Sequence, residues 1–256
     1  MNFRMINLDK KNFEKYSRQL IMNKIGISGQ KKIMNASICI IGCGGLGTSV
    51  AQYLAMTGVG KMVLIDFDKI EMSNLNRQLS FLEKDIGRNK AEVLKKNVEK
   101  INPESDVVIF KKKLNSKNIH SFIDNSKFVI DCSDNFKTRF LINEYCFKKK
   151  KILVTAALQN FDVQISTFKA WANKNNPCYE CIFPRFSGSN VLNCDQMGII
   201  SPVAGFGGIM QAISVINIIL GCNNNIFREL LIFDCFARDL KKIKVKKNIR
   251  CKICKC

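Results

Sequence analysis

Residues 37–68, SICIIGCGGLGTSVAQYLAMTGVGKMVLIDFD, set out a β-branched run, a glycine turn, a helical stretch and a second β-branched run ending in an acid. No other feature constrains the fold as tightly. Gly42, Gly44 and Gly47 form G-x-G-x-x-G. The first glycine allows a tight turn, the second lets backbone approach a phosphate, and the third lets the helix pack on the strand. The helix N-terminus then offers unpaired N–H groups to an anion. Asp66, at the end of the following strand, is placed to accept hydrogen bonds from ribose hydroxyls. Taken alone, this pattern favours a dinucleotide such as NAD or FAD.

The rest of the chain repeats the alternation. Residues 9–35 read as helical, with breaks around Gly26 and Gly29. A helix over 87–103 ends at proline, and strands follow at 106–114, 127–135 and 151–158 with helices between them. Strands alternating with helices imply parallel βαβ units in a doubly wound sheet. After about residue 155 the pattern becomes antiparallel, with a loop over 177–202, an apolar helix over 203–221 and a hairpin over 229–247. The expected architecture is α/β. It is a single domain over 1–256 with a Rossmann-like, mostly parallel nucleotide-binding core (9–155) and an antiparallel extension carrying a zinc-binding site of four cysteines (156–256). The apolar run 205–221 is interrupted by Gln211 and Asn217 and is shorter than a membrane span, so it reads as a core helix. Residues 1–20 are charged throughout and do not resemble a signal peptide; a cytoplasmic protein without a membrane partner is expected.

The formal net charge of +20 raises the reading of a nucleic-acid binder. Against it, lysine dominates over arginine, and the runs at 111–113, 148–151 and 241–247 are scattered between elements. A solvated surface, with an acidic protein partner as the functional alternative, suits that distribution better; no nucleic acid is expected. The twelve cysteines do not form a disulfide framework in a chain of this character. Cys39, Cys43, Cys132 and Cys146 lie inside apolar segments and read as small buried hydrophobes. Cys178-x-x-Cys181 and Cys251-x-x-Cys254 are different: two pairs separated by 69 residues supply four thiolates, enough to close a tetrahedral zinc site. Cys256 adds a further thiol with no assigned role.

The segment after Asp66 shifts the balance away from a dinucleotide. SNLNRQ (73–78) brings Asn74, Arg77 and Gln78 into the next loop, and Lys90 opens a helix. A guanidinium plus an ammonium suit a triphosphate, whose terminal groups carry more charge than a pyrophosphate bridge. DCSDN places Asp134 and Asn135 past a strand end, and an acid among phosphate-binding bases makes sense when it holds Mg²⁺.

Taken together, YSRQL, GCGGLG, DFD, SNLNRQ, Lys90, DCSDN, CxxC, NC and CxxC, in that order from about residue 13 to 254, resemble the MoeB/ThiF/HesA family of adenylyltransferases, relatives of the ubiquitin-activating enzymes. The resemblance implies ATP·Mg²⁺ as cofactor. The activity it implies is adenylation of the C-terminal glycine carboxylate of a small ubiquitin-like sulfur carrier, MoaD-like or ThiS-like and ending in Gly-Gly, for later thiocarboxylate formation in molybdopterin or thiamine biosynthesis. On that pattern Gly42, Gly44, Gly45 and Gly47 lie against the nucleotide and Asp66 binds the ribose. Ser73, Asn74, Arg77 and Lys90 line the phosphates, and Asp134 holds Mg²⁺ with Asn135 beside it. Arg18, in YSRQ, resembles the arginine that reaches into a neighbouring subunit's site, which implies a homodimer. Cys194 falls where some relatives form a covalent intermediate with the carrier and others adenylate without one. LIDFDKIEMSNLNRQ and AQYLA look slightly more like the molybdopterin-synthase type.

The chemistry agrees with these parts. A carboxylate is already ionised at neutral pH, so its attack on the α-phosphorus of ATP needs no general base. It needs neutralisation and alignment of two anions, which a histidine-free site of Arg, Lys and Mg²⁺ provides. His120, the one histidine, lies away from every motif and reads as structural. No rhodanese-like extension is present, so a separate sulfur donor is expected. Three alternatives remain open at this point: adenylation of a different peptide C-terminus, a Rossmann NAD-dependent oxidoreductase, and a binding relative without activity.

Overall fold

The structure, a computed structural model, describes residues 8–185 and 198–255. Cys194 and Cys256, singled out above, lie outside the described residues. Strands β1 (Ser37–Ile41), β2 (Lys61–Ile65), β3 (Asp106–Phe110), β4 (Phe128–Asp131) and β5 (Ile152–Gln159) are parallel to one another. Strands β6 (Asp162–Phe168), β7 (Glu229–Asp234) and β8 (Asp239–Lys244) continue the sheet antiparallel. All eight form one sheet in the order β3-β2-β1-β4-β5-β6-β7-β8.

The central strands are apolar at nearly every position because helices cover both faces. Ile38, Ile40, Met62 and Leu64 pack on one face with residues of α4 (Gly45–Thr57), α5 (Lys90–Ile101) and α9 (Ser201–Ile219). Cys39, Ile41, Val63 and Ile65 point to the other, toward α6 (Ile119–Ile123), α7 (Phe136–Lys148) and the short α8 (Tyr179–Ile182). The period of two along each strand thus feeds two separate cores.

Chain order reverses in space between β1 and β4, which opens a crevice at the carboxyl ends of those strands. The direction change expected near residue 155 falls inside β5. This strand pairs parallel with β4 (Phe128↔Ile152) and antiparallel with β6 (Leu153↔Phe168), so both halves share one sheet.

The apolar helix α9 is long and apolar enough to cross a membrane, but it is packed into the core. It lies so close to α4 that a Cβ on Gly208 would sit 2.6 Å from the Leu46 carbonyl oxygen. Near the N-terminus, the helical stretch read with breaks at Gly26 and Gly29 forms three helices: α1 (Lys10–Lys15), α2 (Ser17–Leu20) and α3 (Gly26–Met34). Gly26 does mark a break, with φ +53°. Gly29 does not: it lies within α3, where a Cβ would come 2.8 Å from Leu220 Cδ2. Close packing against the end of α9, not a turn, is what Gly29 permits.

Gly47 provides the sharpest test of this packing, because a Cβ there would fall 1.9 Å from the Gly42 carbonyl oxygen. Gly47→Ala should cost about 2 kcal/mol or more in urea unfolding, the scale of forced overpacking. Gly205→Ala, in α9 with only Ser49 Oγ at 3.9 Å, should instead gain about 0.5–1 kcal/mol from helix propensity. Equal effects at the two sites would refute the packing account.

Candidate functional site

The crevice is built from the loops that leave β1, β2 and β4. After β1, Gly42 takes φ +94°, and a Cβ there would lie 2.6 Å from the Cys132 carbonyl oxygen, so the glycine turn rests directly on the loop after β4. Gly44 is the N-cap of α4 and supplies no side-chain cap, which leaves the first-turn N–H groups directed at the crevice. A Cβ on Gly45 would meet the Arg77 carbonyl oxygen at 3.3 Å, which places the 73–78 loop over the helix start.

Asp66, just past β2, is 8% exposed. Its carboxylate accepts the Cys43 N–H at 2.7 Å and the Asp68 N–H at 2.8 Å, tying the glycine turn to the second strand. Burial pushes this carboxyl above its usual range, opposed by those two N–H bonds and by the Lys90 charge. Each oxygen keeps a second lone pair for a ribose hydroxyl.

Lys90 opens α5, whose N-cap Asn89 donates to the Asp66 and Asp68 carbonyls, both at 3.1 Å. Its ammonium is nearly buried and lies 3.4 Å from the half-exposed Asp68 carboxylate. In the 73–78 loop, Arg77 Nη1 donates to Ser73 O and Asn76 Oδ1, both at 2.9 Å. Asn74 is buried, and its Oδ1 accepts the Glu71 N–H at 3.2 Å, so its side chain shapes the loop. Gln78 is buried beside the glycine turn, and its Oε1 has no partner among the described residues.

Across the crevice, Asn135 caps α7 by accepting the Thr138 N–H at 2.9 Å. Its Nδ2 donates to Asp134 Oδ1 at 3.1 Å, orienting an otherwise exposed carboxylate. An exposed carboxylate is a hard oxygen donor of the kind Mg²⁺ takes while keeping several waters. Arg18 sits exposed on α2, and among the described residues no hydrogen bond or ion pair links it to the crevice. The glycine turn thus contacts the loop after β4, the 73–78 loop and Asp66, with the Lys90 charge near Asp66, and no such bond ties Arg18 to this set among the described residues.

Beside the start of α7 opens a cleft of about 220 Å³, lined among others by Phe136, Arg139, Thr155, Gln164 and Ser166. Ser166 Oγ is buried and has no partner among the described residues. Sequence reading passed over Arg139: within FKTRF it looks like one more solvated cation, yet it is buried.

The four paired cysteines converge as their spacing suggested. Their sulfurs lie within 4.8 Å of one another, with separations of 3.9 Å for Cys178–Cys181, 3.6 Å for Cys178–Cys251 and 3.4 Å for Cys181–Cys254. A tetrahedron with zinc–sulfur bonds of about 2.3 Å has edges of about 3.8 Å, so the cage fits that ion. The close sulfur contacts lower the Cys181 thiol and raise those of Cys178 and Cys254. Asn143 of α7 points its Nδ2 at Cys178 Sγ (3.7 Å) and accepts the Tyr179 N–H at 3.0 Å, an outer contact no motif announced. Cys39, Cys43 and Cys146 are buried, and burial raises their thiols. Cys132 is half-buried and donates to Gln211 Oε1 at 3.3 Å. His120 is exposed on α6.

Residues 16–253 match the ThiF family. The chain is 32% identical over 248 residues to the sulfur carrier protein adenylyltransferase of Thermus thermophilus, covering 96% of this chain and 92% of that protein. It is 35% identical over 249 residues to the adenylyltransferase and sulfurtransferase MOCS3 of Caenorhabditis briggsae, covering 96% of this chain and 61% of that longer protein. Among solved structures, E. coli MccB with AMPCPP and MccA aligns with a TM-score of 0.82 at 25% identity, over 96% of this chain and 74% of that one. Sequence, fold and crevice agree: the chain belongs to the ThiF family.

Proposed function

We propose that this chain is an adenylyltransferase that joins the C-terminal carboxylate of a small ubiquitin-like sulfur carrier to AMP, using ATP·Mg²⁺ and releasing pyrophosphate. One observation carries the reading. A helix N-terminus, Arg77 and nearly buried Lys90 share a crevice with Asp66 on one side and the Asp134 carboxylate on the other. That set suits a charged triphosphate with a divalent ion. The names of the Thermus and Caenorhabditis relatives support the same activity.

In this reading Asp66 holds the ribose, and the first turn of α4 with Ser73, Arg77 and Lys90 neutralises the phosphates. Neutralisation lets an anionic acyl group approach the α-phosphorus, and the fixed geometry supplies most of the rate. Mg²⁺, held by Asp134 with Asn135 beside it, would add charge stabilisation to the departing pyrophosphate. The cleft at Phe136, Arg139 and Thr155 adjoins Asp134 and offers hydroxyl and amide groups to an extended peptide tail.

In this reading the chain is a homodimer in which Arg18 serves the partner's crevice, and such an interface would cover the exposed Ile21 and Met22 nearby in sequence. The Cys178–Cys181–Cys251–Cys254 cage holds a structural zinc that ties the C-terminal segment to the sheet. A sulfur donor completes the thiocarboxylate chemistry. The likeness to MccB, solved with MccA, keeps a second reading in view: adenylation of a peptide C-terminus other than a sulfur carrier, with the same ATP residues.

Asp134→Ala should lower carrier-dependent ATP–pyrophosphate exchange by about a hundredfold or more, the scale of removing one preorganised transition-state contact. Retained exchange would take Asp134 out of the site. Metal analysis of freshly purified protein should find about one zinc per chain, as four thiolates close one tetrahedral site. Cys251→Ser should release the C-terminal segment to limited proteolysis; a zinc-free protein with a protected C-terminus would remove the assignment. Cys194→Ala should leave pyrophosphate exchange unchanged, since adenylyl transfer to a carboxylate requires no thiol. Loss of exchange would give that cysteine a part in the first step.

A further inference from the structure

Asp131 ends β4 fully buried, and its Oδ2 has no hydrogen-bond partner among the described residues. Its Oδ1 accepts both the N–H and the hydroxyl of Ser133, at 2.9 and 2.6 Å. The charge that balances it comes from Arg139, 4% exposed and one helical turn beyond Asn135. Arg139 Nη1 donates to the Ala156 carbonyl of β5 at 2.8 Å, and Nη2 donates to the Ser133 carbonyl at 2.5 Å. From the opposite face of the sheet, fully buried Gln211 of α9 donates to the Asp131 carbonyl at 2.9 Å and accepts the Cys132 thiol.

Residues 131, 132 and 133 are therefore each gripped by a side chain from another element, while among the described residues the Asp134 carboxylate accepts a hydrogen bond from its neighbour Asn135 alone. A helix cap explains the bonds of Asn135 and none of the others. Stability alone is a weak reason for the arrangement, because burying opposite charges is often no better than burying an apolar pair of the same volume. A two-pronged guanidinium between two carbonyls does, however, fix backbone to within tenths of an ångström, which a loop presenting a metal ligand needs.

We propose that Arg139, with Asp131 and Gln211, is the positioning device that holds the 131–133 backbone so that Asp134 meets the divalent ion of the nucleotide complex. This rests on the adenylation reading and deepens it. Arg139 also lines the cleft beside α7, so the residue that sets the metal loop borders the place where the acyl group arrives.

Arg139→Lys keeps the charge facing Asp131 but replaces the fork with a point donor that cannot span both carbonyls. Mn²⁺ titration of the ATP complex followed by electron paramagnetic resonance should show binding weakened about tenfold or more, the usual scale for outer-shell partners. Metal-free ATP binding by calorimetry, which depends on Asp66 and the glycine turn, should stay within about threefold of the unaltered protein, and kcat for exchange should fall in step with the loss of metal. Should Arg139→Lys fail to fold, Gln211→Met releases the Asp131 carbonyl from the other face and should shift Mn²⁺ binding in the same direction. Variants that bind Mn²⁺ like the unaltered protein, with only a lower melting temperature, overturn the positioning role. An unaltered chain that binds no ATP and catalyses no exchange fails at the adenylation reading itself, upstream of this inference.

Discussion

Everything at the crevice depends on how closely the first turn of α4 approaches the end of β1. With no Cβ at Gly47, the helix starts against the Gly42 carbonyl, and with none at Gly42 the turn lies on the Cys132 backbone. These contacts leave no room for side chains, so the N-terminal N–H groups of α4 are the surface a ligand meets. The same approach brings Cys43 N–H onto Asp66 and so sets the distance from the glycine turn to the second strand. Loops that carry Arg77 and Asp134 are packed on this turn, and their positions follow from it.

Charged side chains at the site are mostly engaged in holding backbone. Asp66 receives two N–H groups, Asn89 staples the loop of Asp66 and Asp68 to α5, and Arg139 pins two carbonyls. Desolvating such groups costs stability, and hydrogen bonds to fixed backbone offset the cost. The groups left accessible are Asp134 and Arg77, with Lys90 kept nearly buried against Asp68. A rigid frame of buried charges around a few accessible ones suits chemistry that consists of aligning anions.

The alternation of short apolar runs with helical stretches made the doubly wound core readable, because strands covered on both faces have no polar positions to blur them. Glycine was harder to interpret. Gly26 and Gly29 look alike in a sequence, yet one adopts a left-handed conformation and the other admits the end of a helix that lies far along the chain. Asn74 and Arg139 illustrate the same limit. Asn74 sits in the SNLNRQ motif and uses its side chain on a turn, while Arg139 follows Lys137 in a helix that reads as solvated and is buried against two carbonyls. Neither fact has a local signature, since each depends on what packs across from the residue.

Local order along the chain determined the family, the nucleotide-type turn, the acid after the second strand and the two thiol pairs, because each rests on spacing within one or two elements. Tertiary structure set the distances at which the four sulfurs meet, all within 4.8 Å of one another. It also decided that the core helix α9 packs closely on α4, and that three side chains from two faces of the sheet converge behind Asp134. The physical reason is common to all three: burial and long-range contact are properties of the packed chain, and no stretch of sequence encodes the partner it will meet across the core.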